Sequence, residues 1–362
     1  MDERDIDRIY NACTRFLTHH HRKSPRQVMS GLAEFTPAEV SGDRYGQGEL
    51  IAEFEQHIAD LLGKAAAVFM PSGTMCQQIA LRIWSEQRGS PNVAFHPTSH
   101  LEIHEFSAHQ RLHGLSSILL GSPYQLFTLA DLKAVAEPLA ALLIELPQRE
   151  IGGQLPGWEE LTAMTDWARE RGIPLHLDGA RLWESQPFYG RSYAEIAGLF
   201  DTVYVSFYKT LGGIAGAVLA GLADVIAEAR VWQRRHGGNL VQLYPYVLSA
   251  QKGLQDHLER IPLYCQKARE VAATLAPFPQ IEIVPDPPQT NMMHLYLRGD
   301  RDKLQHAALA IAQETGTWLF AGLAPTPLPN SSKFELTVGE ATLDFSNEEI
   351  AGLFEALFAR SE

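Results

Sequence analysis

Cysteine is almost missing from this chain: Cys13, Cys76 and Cys265 are the only three in 362 residues. They are odd in number, and no two are spaced as CxxC or as a zinc ribbon. Neither a disulfide framework nor a cysteine-held metal is expected, and a reducing compartment is the simplest setting. Long apolar runs are missing as well. No uncharged stretch approaches the roughly 18–20 residues a membrane helix needs, and the opening MDERDIDRIYNACTRF lacks the apolar centre of a secretory signal. Clustered positive charge is the third absence, with 30 Lys and Arg against 43 Asp and Glu and a formal net charge of −13. Nucleic acid and anionic membranes are bound through clustered Lys and Arg, so neither is an expected partner. A cytoplasmic enzyme or binding protein remains, with 45 % hydrophobic residues and ample length for a core.

What is present is an alternation. Residues 1–23 read as a short helix through Ile6, Ile9, Tyr10, Cys13, Phe16 and Leu17, with the run His19–His21 at its end. ELIAEFEQHIADLL (49–62) repeats at the helical period and Gly63 stops it. Short apolar runs then follow one another: AAAVFM, NVAFH, ALLIEL, IPLHLD, TVYVSF and AGAVLAG. Helix-like stretches such as 73–87, 158–171 and 222–235 separate several of them. Nearly continuous apolar strands between amphipathic helices mean a mostly parallel sheet covered on both faces. From about residue 243 a long helical stretch to 274 gives way to Pro-rich FPQIEIVPDPPQTN, the strands MMHLYL and KFELTV, a helix near 301–315 and a last helix from Asn347. The expected organisation is a helical segment over 1–30, a large α/β domain over 31–242 and a smaller α+β domain over 243–362.

Three motifs carry chemistry. PSGTM (71–75) sets Ser72, Gly73 and Thr74 between a strand and a helix start, where free N–H groups and the helix dipole favour an anion. Ser72 or Thr74 could equally be a plain N-cap. HLDGARLW (176–183) puts Asp178 at the C-terminal end of a strand, where ligands bind in open α/β sheets. Asp178 could also cap the next segment, and Arg181 is either its ion-pair partner or an anion fork. SFYKTLGG places Lys209 in an uncharged run, 31 residues beyond Asp178. A desolvated lysine becomes a usable amine nucleophile. Pyridoxal phosphate requires a phosphate cradle, an acid for its pyridinium nitrogen and a Schiff-base lysine. All three are present, in that order, after successive strands.

In order and wording the chain resembles the threonine aldolase/β-eliminating lyase group of fold-type I pyridoxal-phosphate enzymes. The resemblance runs from SGDRYGQGELIAEFE (41–55) through PSGTM, LHLDGARLW, SFYKTLGG and AGAVLAG to PQTNMMHLYL (288–297). It implies that fold, with Lys209 as the Schiff-base lysine, Asp178 as the pyridinium partner and Ser72, Gly73 and Thr74 on the phosphate. It puts Arg181 near the cofactor or the substrate carboxylate and His100 on the cofactor ring. It also implies that Arg234, in RRHGGN, reaches a neighbouring subunit's site, so a homodimer or homotetramer with a shared active site is expected. Glu105 follows a glutamate of the family and reads as structural.

His96, His100 and His104 are spaced as one helix face that could hold zinc. Pro97 breaks such a helix and no HExxH occurs, so no metal is expected. The chain also departs from the family. Its Ser-Asp-Thr-Val-Thr segment is replaced by SPRQVMSGLAEFTPAEV (24–40), and Gln148 of ELPQRE stands where the family has a second histidine. Gln can orient a hydroxyl but cannot take a proton at neutral pH. No C-terminal arginine matches the family's carboxylate grip; Lys333, Arg44 and Arg149 are the cations available. The resemblance implies a lyase acting on a small L-amino acid, with threonine-aldolase-like Cα–Cβ cleavage first. β-Elimination, transamination or racemisation of another amino acid, and a non-catalytic binding role, stand as alternatives.

Overall fold

A computed structural model describes residues 3–361. Seven strands form the principal sheet: β1 (Ala66–Met70), β2 (Asn92–Phe95), β3 (Ser116–Leu119), β4 (Ala141–Glu145), β5 (Leu175–Gly179), β6 (Thr202–Ser206) and β7 (Ala217–Gly221). Their order is β1-β7-β6-β5-β4-β2-β3. Neighbours from β6 to β3 are parallel, whereas β7 runs antiparallel to both β6 and β1. β1 therefore points the same way as β6, and the segments following β1, β2, β4, β5 and β6 all emerge on one edge. β4 to β7 are buried along their whole length, as two-sided cover requires. Gly73–Arg88 and Ala223–Arg235 pack on one another and on this sheet. Trp84 Nε1 donates to Thr202 Oγ1 at 3.0 Å, and Thr202 also meets His176 Nδ1 at 2.9 Å. Burial pushes the His176 imidazole down to about 3, so it sits neutral in this core.

The chain divides into two compact units, one of residues 26–150 and 154–259 and the other of 1–25, 151–153 and 260–362. The second unit carries a four-stranded antiparallel sheet in the order Ala324–Pro325, Ser331–Thr337, Met292–Arg298, Ile281–Val284. The helices Arg301–Thr315 and Asn347–Ser361 pack together within it. No described helix is long and apolar enough to cross a membrane, and the three cysteines are buried.

The expected elements form with four corrections. The first helix covers only Glu3–Ala12, because Arg15–Phe16 leave it to pair in parallel with Thr317–Trp318. The triple histidine thus ends no helix, and His19 sits in a left-handed bridge to Val338. Pro25–Phe35 is an additional helix, with Leu32 as its one buried residue. The stretch 243–274 splits into Tyr244–His257 and Ile261–Leu275 around a 3-10 turn, with Pro262 in the first turn of the second helix, where a missing N–H costs nothing. β3 was not expected: its SSIL has no apolar run to announce it.

Candidate active site

The parallel register sets Glu145, Asp178 and Tyr204 side by side on β4, β5 and β6. In-register neighbours of a parallel sheet point to one face, so the three make the floor of a single cavity. That cavity is also lined by Thr74, Gln77, His100, Arg181 and Lys209. Residues far apart in the chain meet here because each lies at or just beyond the C-terminal end of a strand.

Asp178 is 1 % exposed. The Ala180 N–H donates to its Oδ1 at 3.1 Å and Gln77 Nε2 to its Oδ2 at 2.7 Å. Burial raises its pKa, opposed by the Ala180 N–H, Lys209, His100 and Gln77. The turn that follows is pinned to β6, with Ser206 Oγ donating to the Ala180 carbonyl at 2.7 Å and Trp183 Nε1 to the Ser206 carbonyl at 2.9 Å. Glu145 is pushed up to about 8 by burial and then by the neighbouring Asp178. Two adjacent buried carboxylates resist sharing two charges, and Glu145 is the one that keeps the proton.

Lys209 leaves β6 on a turn that only glycines close. Gly212 N–H donates to the Lys209 carbonyl at 2.9 Å with φ of 68°, and Gly213 N–H donates to the Phe207 carbonyl at 2.7 Å. A Cβ on Gly213 would stand 2.7 Å from that carbonyl oxygen. The Lys209 ammonium is half-buried, and its pKa falls to about 8, chiefly through desolvation and then through Arg181.

At the start of the helix Gly73–Arg88, Ser72 is the N-cap, its Oγ accepting the Met75 N–H at 3.4 Å. Thr74 lines the cavity. Gly73 has a further reason to be glycine: a Cβ there would be driven into the hydroxyl of Tyr204. The opposite wall is the segment 96–113. His100 Nδ1 lies 3.0 Å from Glu105 Oε1, and Gln78 Nε2 donates to Glu105 Oε2 at 2.9 Å. Glu105 thus fixes the His100 ring from below. The three spaced histidines go to separate partners: His96 Nε2 meets the Gln125 carbonyl at 2.9 Å, and His104 Nε2 meets Glu150 Oε1 at 2.9 Å.

Five of the sequence-expected residues therefore line one cavity: Thr74, His100, Asp178, Arg181 and Lys209. Gln148 is 2 % exposed and reaches it indirectly, donating to Glu145 Oε2 at 3.1 Å and Thr98 Oγ1 at 3.4 Å. Arg234 lies elsewhere in this unit, its guanidinium 5.2 Å from the Tyr45 ring centroid. Of the candidate replacement cations, Arg149 lines the cavity and pairs with Glu150 at 3.0 Å, while Arg44 is exposed away from it. Lys333, in the other unit, lies 3.3 Å from His294 Nδ1. Sequence reasoning missed Gln77, Glu145, His104, Tyr204 and Tyr208 as cavity residues. Gln77 had a signal, falling three residues after Thr74 and so on the same helical face.

The donor set fits a phosphorylated pyridine aldehyde. A helix start with a hydroxyl beside it suits the phosphate, a buried carboxylate suits a protonated ring nitrogen, and an amine with a lowered pKa suits the aldehyde. The Oε1 of Gln77 is buried with no hydrogen-bond partner among the described residues, and it leaves one acceptor available beside Asp178.

A proposed L-allo-threonine aldolase from Listeria monocytogenes EGD-E superposes with a TM-score of 0.94 at 41 % identity, covering 99 % of each chain. Aldolase vrtJ of Penicillium aethiopicum is 32 % identical over 60 % of this chain, a match that spans 56 % of that protein's length. The low specificity L-threonine aldolase of Saccharomyces cerevisiae is 26 % identical over 73 % of this chain and 70 % of its own. The model of the beta-eliminating lyases matches residues 25–299, which include the floor, the wall and Lys209: the chain belongs to the beta-eliminating lyase family, whose enzymes depend on pyridoxal phosphate.

Proposed function

We propose that this protein cleaves the Cα–Cβ bond of small β-hydroxy L-amino acids, releasing glycine and an aldehyde. The observation that carries it is the placement of Lys209, with an amine pKa lowered to about 8, in one cavity with buried Asp178. The names of the aldolase relatives support the choice of reaction. Pyridoxal phosphate, when bound, supplies the electron sink that lets a bond to Cα break.

The residues of the chain divide the remaining work. Lys209 Nζ would be the nucleophile that holds the cofactor and, when free of it, would carry a proton beside Cα. Asp178 keeps the ring nitrogen protonated, and Gln77 and the Ala180 N–H hold its two oxygens in place. Gly73 and Thr74 hold the phosphate, with Ser72 capping the helix behind them. His100 covers the ring in the orientation that Glu105 sets. Arg181 takes the substrate carboxylate, and Gln148 supports Glu145 instead of touching substrate. Arg234 faces a second copy of the chain in a cytoplasmic homodimer or homotetramer.

Product analysis tests the reaction. L-Threonine and L-allo-threonine should each yield equimolar glycine and acetaldehyde with the loaded enzyme. Absence of glycine from every β-hydroxy amino acid would remove this reading, and 2-oxo acid plus ammonia from L-serine would replace it with β-elimination.

A further inference from the structure

Breaking Cα–Cβ in a β-hydroxy amino acid requires a base for the hydroxyl proton, and the cavity offers few. Glu145 keeps its proton in the buried floor, where its oxygens accept from the Arg149 N–H at 3.2 Å and from Gln148 Nε2 at 3.1 Å. Gln148 cannot accept a proton at neutral pH. By the reading above Lys209 serves the proton at Cα and Asp178 the ring nitrogen. Two imidazoles line the cavity, His100 and His104, one helical turn apart, with the backbone N–H of His104 donating to the His100 carbonyl at 3.0 Å. Their ring centroids are 5.1 Å apart and inclined at 46°, so both belong to one wall of the cavity.

Carboxylates determine which nitrogen of each ring is basic. An ionised carboxylate only accepts, so a neutral imidazole bonded to one carries its proton on the bonded nitrogen. His100 bonds Glu105 through Nδ1, and His104 bonds Glu150 through Nε2. Glu150 Oε1 also accepts from Arg149 Nη1 at 3.0 Å, which fixes the carboxylate from a second side. His104 is thereby a ring with an oriented tautomer, a lone pair on Nδ1 and a side chain 39 % exposed.

We propose that His104, oriented by Glu150, is the base that takes the β-hydroxyl proton. This rests on the cleavage reading and names the residue that performs one step of it. The O–H proton moves to His104 Nδ1, and the O–H electron pair becomes the second C–O bond of the departing aldehyde. The Cα–Cβ bond breaks, its electron pair remains with Cα, and the Lys209 ammonium returns a proton to that carbon. His104 then releases its proton to water, and Lys209 regains one, so the enzyme ends unchanged.

The test separates this step from cofactor chemistry. Glycine has no hydroxyl, yet on the cleavage reading the loaded enzyme should exchange its α-proton in D2O, which NMR follows. His104→Asn should lower kcat/KM for L-threonine and L-allo-threonine cleavage about 10²- to 10⁴-fold, the usual weight of a general base. Glycine exchange should fall by less than about threefold on the same scale. Glu150→Gln, which leaves the ring in place, should show the same split at about tenfold. In 15N-histidine-labelled protein above about pH 8.5, where an ordinary imidazole is neutral, His104 should appear as the Nε2–H tautomer. Cleavage retained in His104→Asn, an equal fall in cleavage and exchange, or the Nδ1–H tautomer overturns the assignment. Should His104→Asn fail to fold or load, Glu150→Gln must still show the split, and its absence overturns the assignment too. Unaltered protein that exchanges glycine but cleaves no β-hydroxy amino acid overturns the parent reading, and this step with it.

Discussion

Asp178 and Glu145 end neighbouring parallel strands and are 1 % and 9 % exposed, whereas His100 and His104 ride on a single helical turn that runs into Phe106 and Ser107. Phe106 and Ser107 both have left-handed backbones, at φ of 51° and 56°, and Phe106 is 98 % exposed. The floor of the cavity is thus fixed by sheet register and perturbed by burial, while the wall is held by side-chain hydrogen bonds on a strained, exposed connection. Sheet register cannot shift without turning every side chain over.

The largest effect should come from Lys209, which lines the cavity with the floor. Lys209→Ala should abolish borohydride-trapped cofactor on the protein and lower cleavage by at least about 10³-fold, since no other amine in the cavity can replace the nucleophile. Retained trapping in this variant would move the nucleophile elsewhere.

Next is the pH dependence of cofactor attachment. With its pKa lowered to about 8, Lys209 offers neutral amine at pH 7 a few hundred times more often than an ordinary lysine. The rate of attachment should climb with pH through about 8 and then level off; a rise continuing to pH 10 would show a solvated amine. The same shift bears on stability. Below pH 8 the folded apo-protein holds a charged amine that its surroundings disfavour, and that cost is relieved as pH climbs from about 8 to 10.5.

Asp178→Ala should lower cleavage about 10²-fold, because a buried preorganised charge is lost from the ring nitrogen. It should also shift the visible absorbance of the bound cofactor. Equal activity without the carboxylate would mean that the floor does not tune the ring. On the wall, Glu105→Ala should cost about tenfold, as His100 loses the group that orients it, with unchanged trapping on Lys209. A loss as large as that of Asp178 would place the wall on the same footing as the floor.

Asp178, Lys209 and His100 were legible in the sequence, whereas Glu145, Tyr204 and the contacts that orient the wall were not, for physical reasons. LHLD and SFYK announce themselves because a charged residue closing an apolar strand is costly unless it has a use. Glu145 closes ALLIE in the same manner, and its pairing with Asp178 depends on a register that one sequence does not reveal. Gln77 meets Asp178 from 101 residues away, a contact that local pattern cannot carry. The wall histidines read as a possible metal face because their spacing is visible and their carboxylate partners, Glu105 and Glu150, are not. At the N-terminus, Phe16 and Leu17 kept the helical period while tertiary pairing with Thr317–Trp318 decided their state.

The smallest expected effects sharpen the comparison most, because a serine holds a left-handed backbone on the wall and a glycine holds one beside Lys209. Ser107 sits at φ 56° and ψ 31° at the start of Ala108–His113, and its side chain makes no capping hydrogen bond. Glycine there relieves a left-handed backbone worth about 1–2 kcal/mol, offset in part by the greater freedom glycine gives the unfolded chain, about 0.4–1 kcal/mol. Ser107→Gly should therefore stabilise by up to about 1 kcal/mol, raising Tm by roughly 1–2 °C for a chain of this size. Gly212, at φ 68° beside Lys209, is the reverse case. Gly212→Ala places a Cβ on a left-handed backbone and should lower stability by about 1 kcal/mol. It should also slow cofactor attachment, because the turn that presents Lys209 depends on the Gly212 N–H reaching the Lys209 carbonyl. Opposite signs in the two melting curves would establish that the wall stores strain and the floor does not; a lower Tm for both would mean that the Phe106–Ser107 turn is held by contacts that serine itself provides.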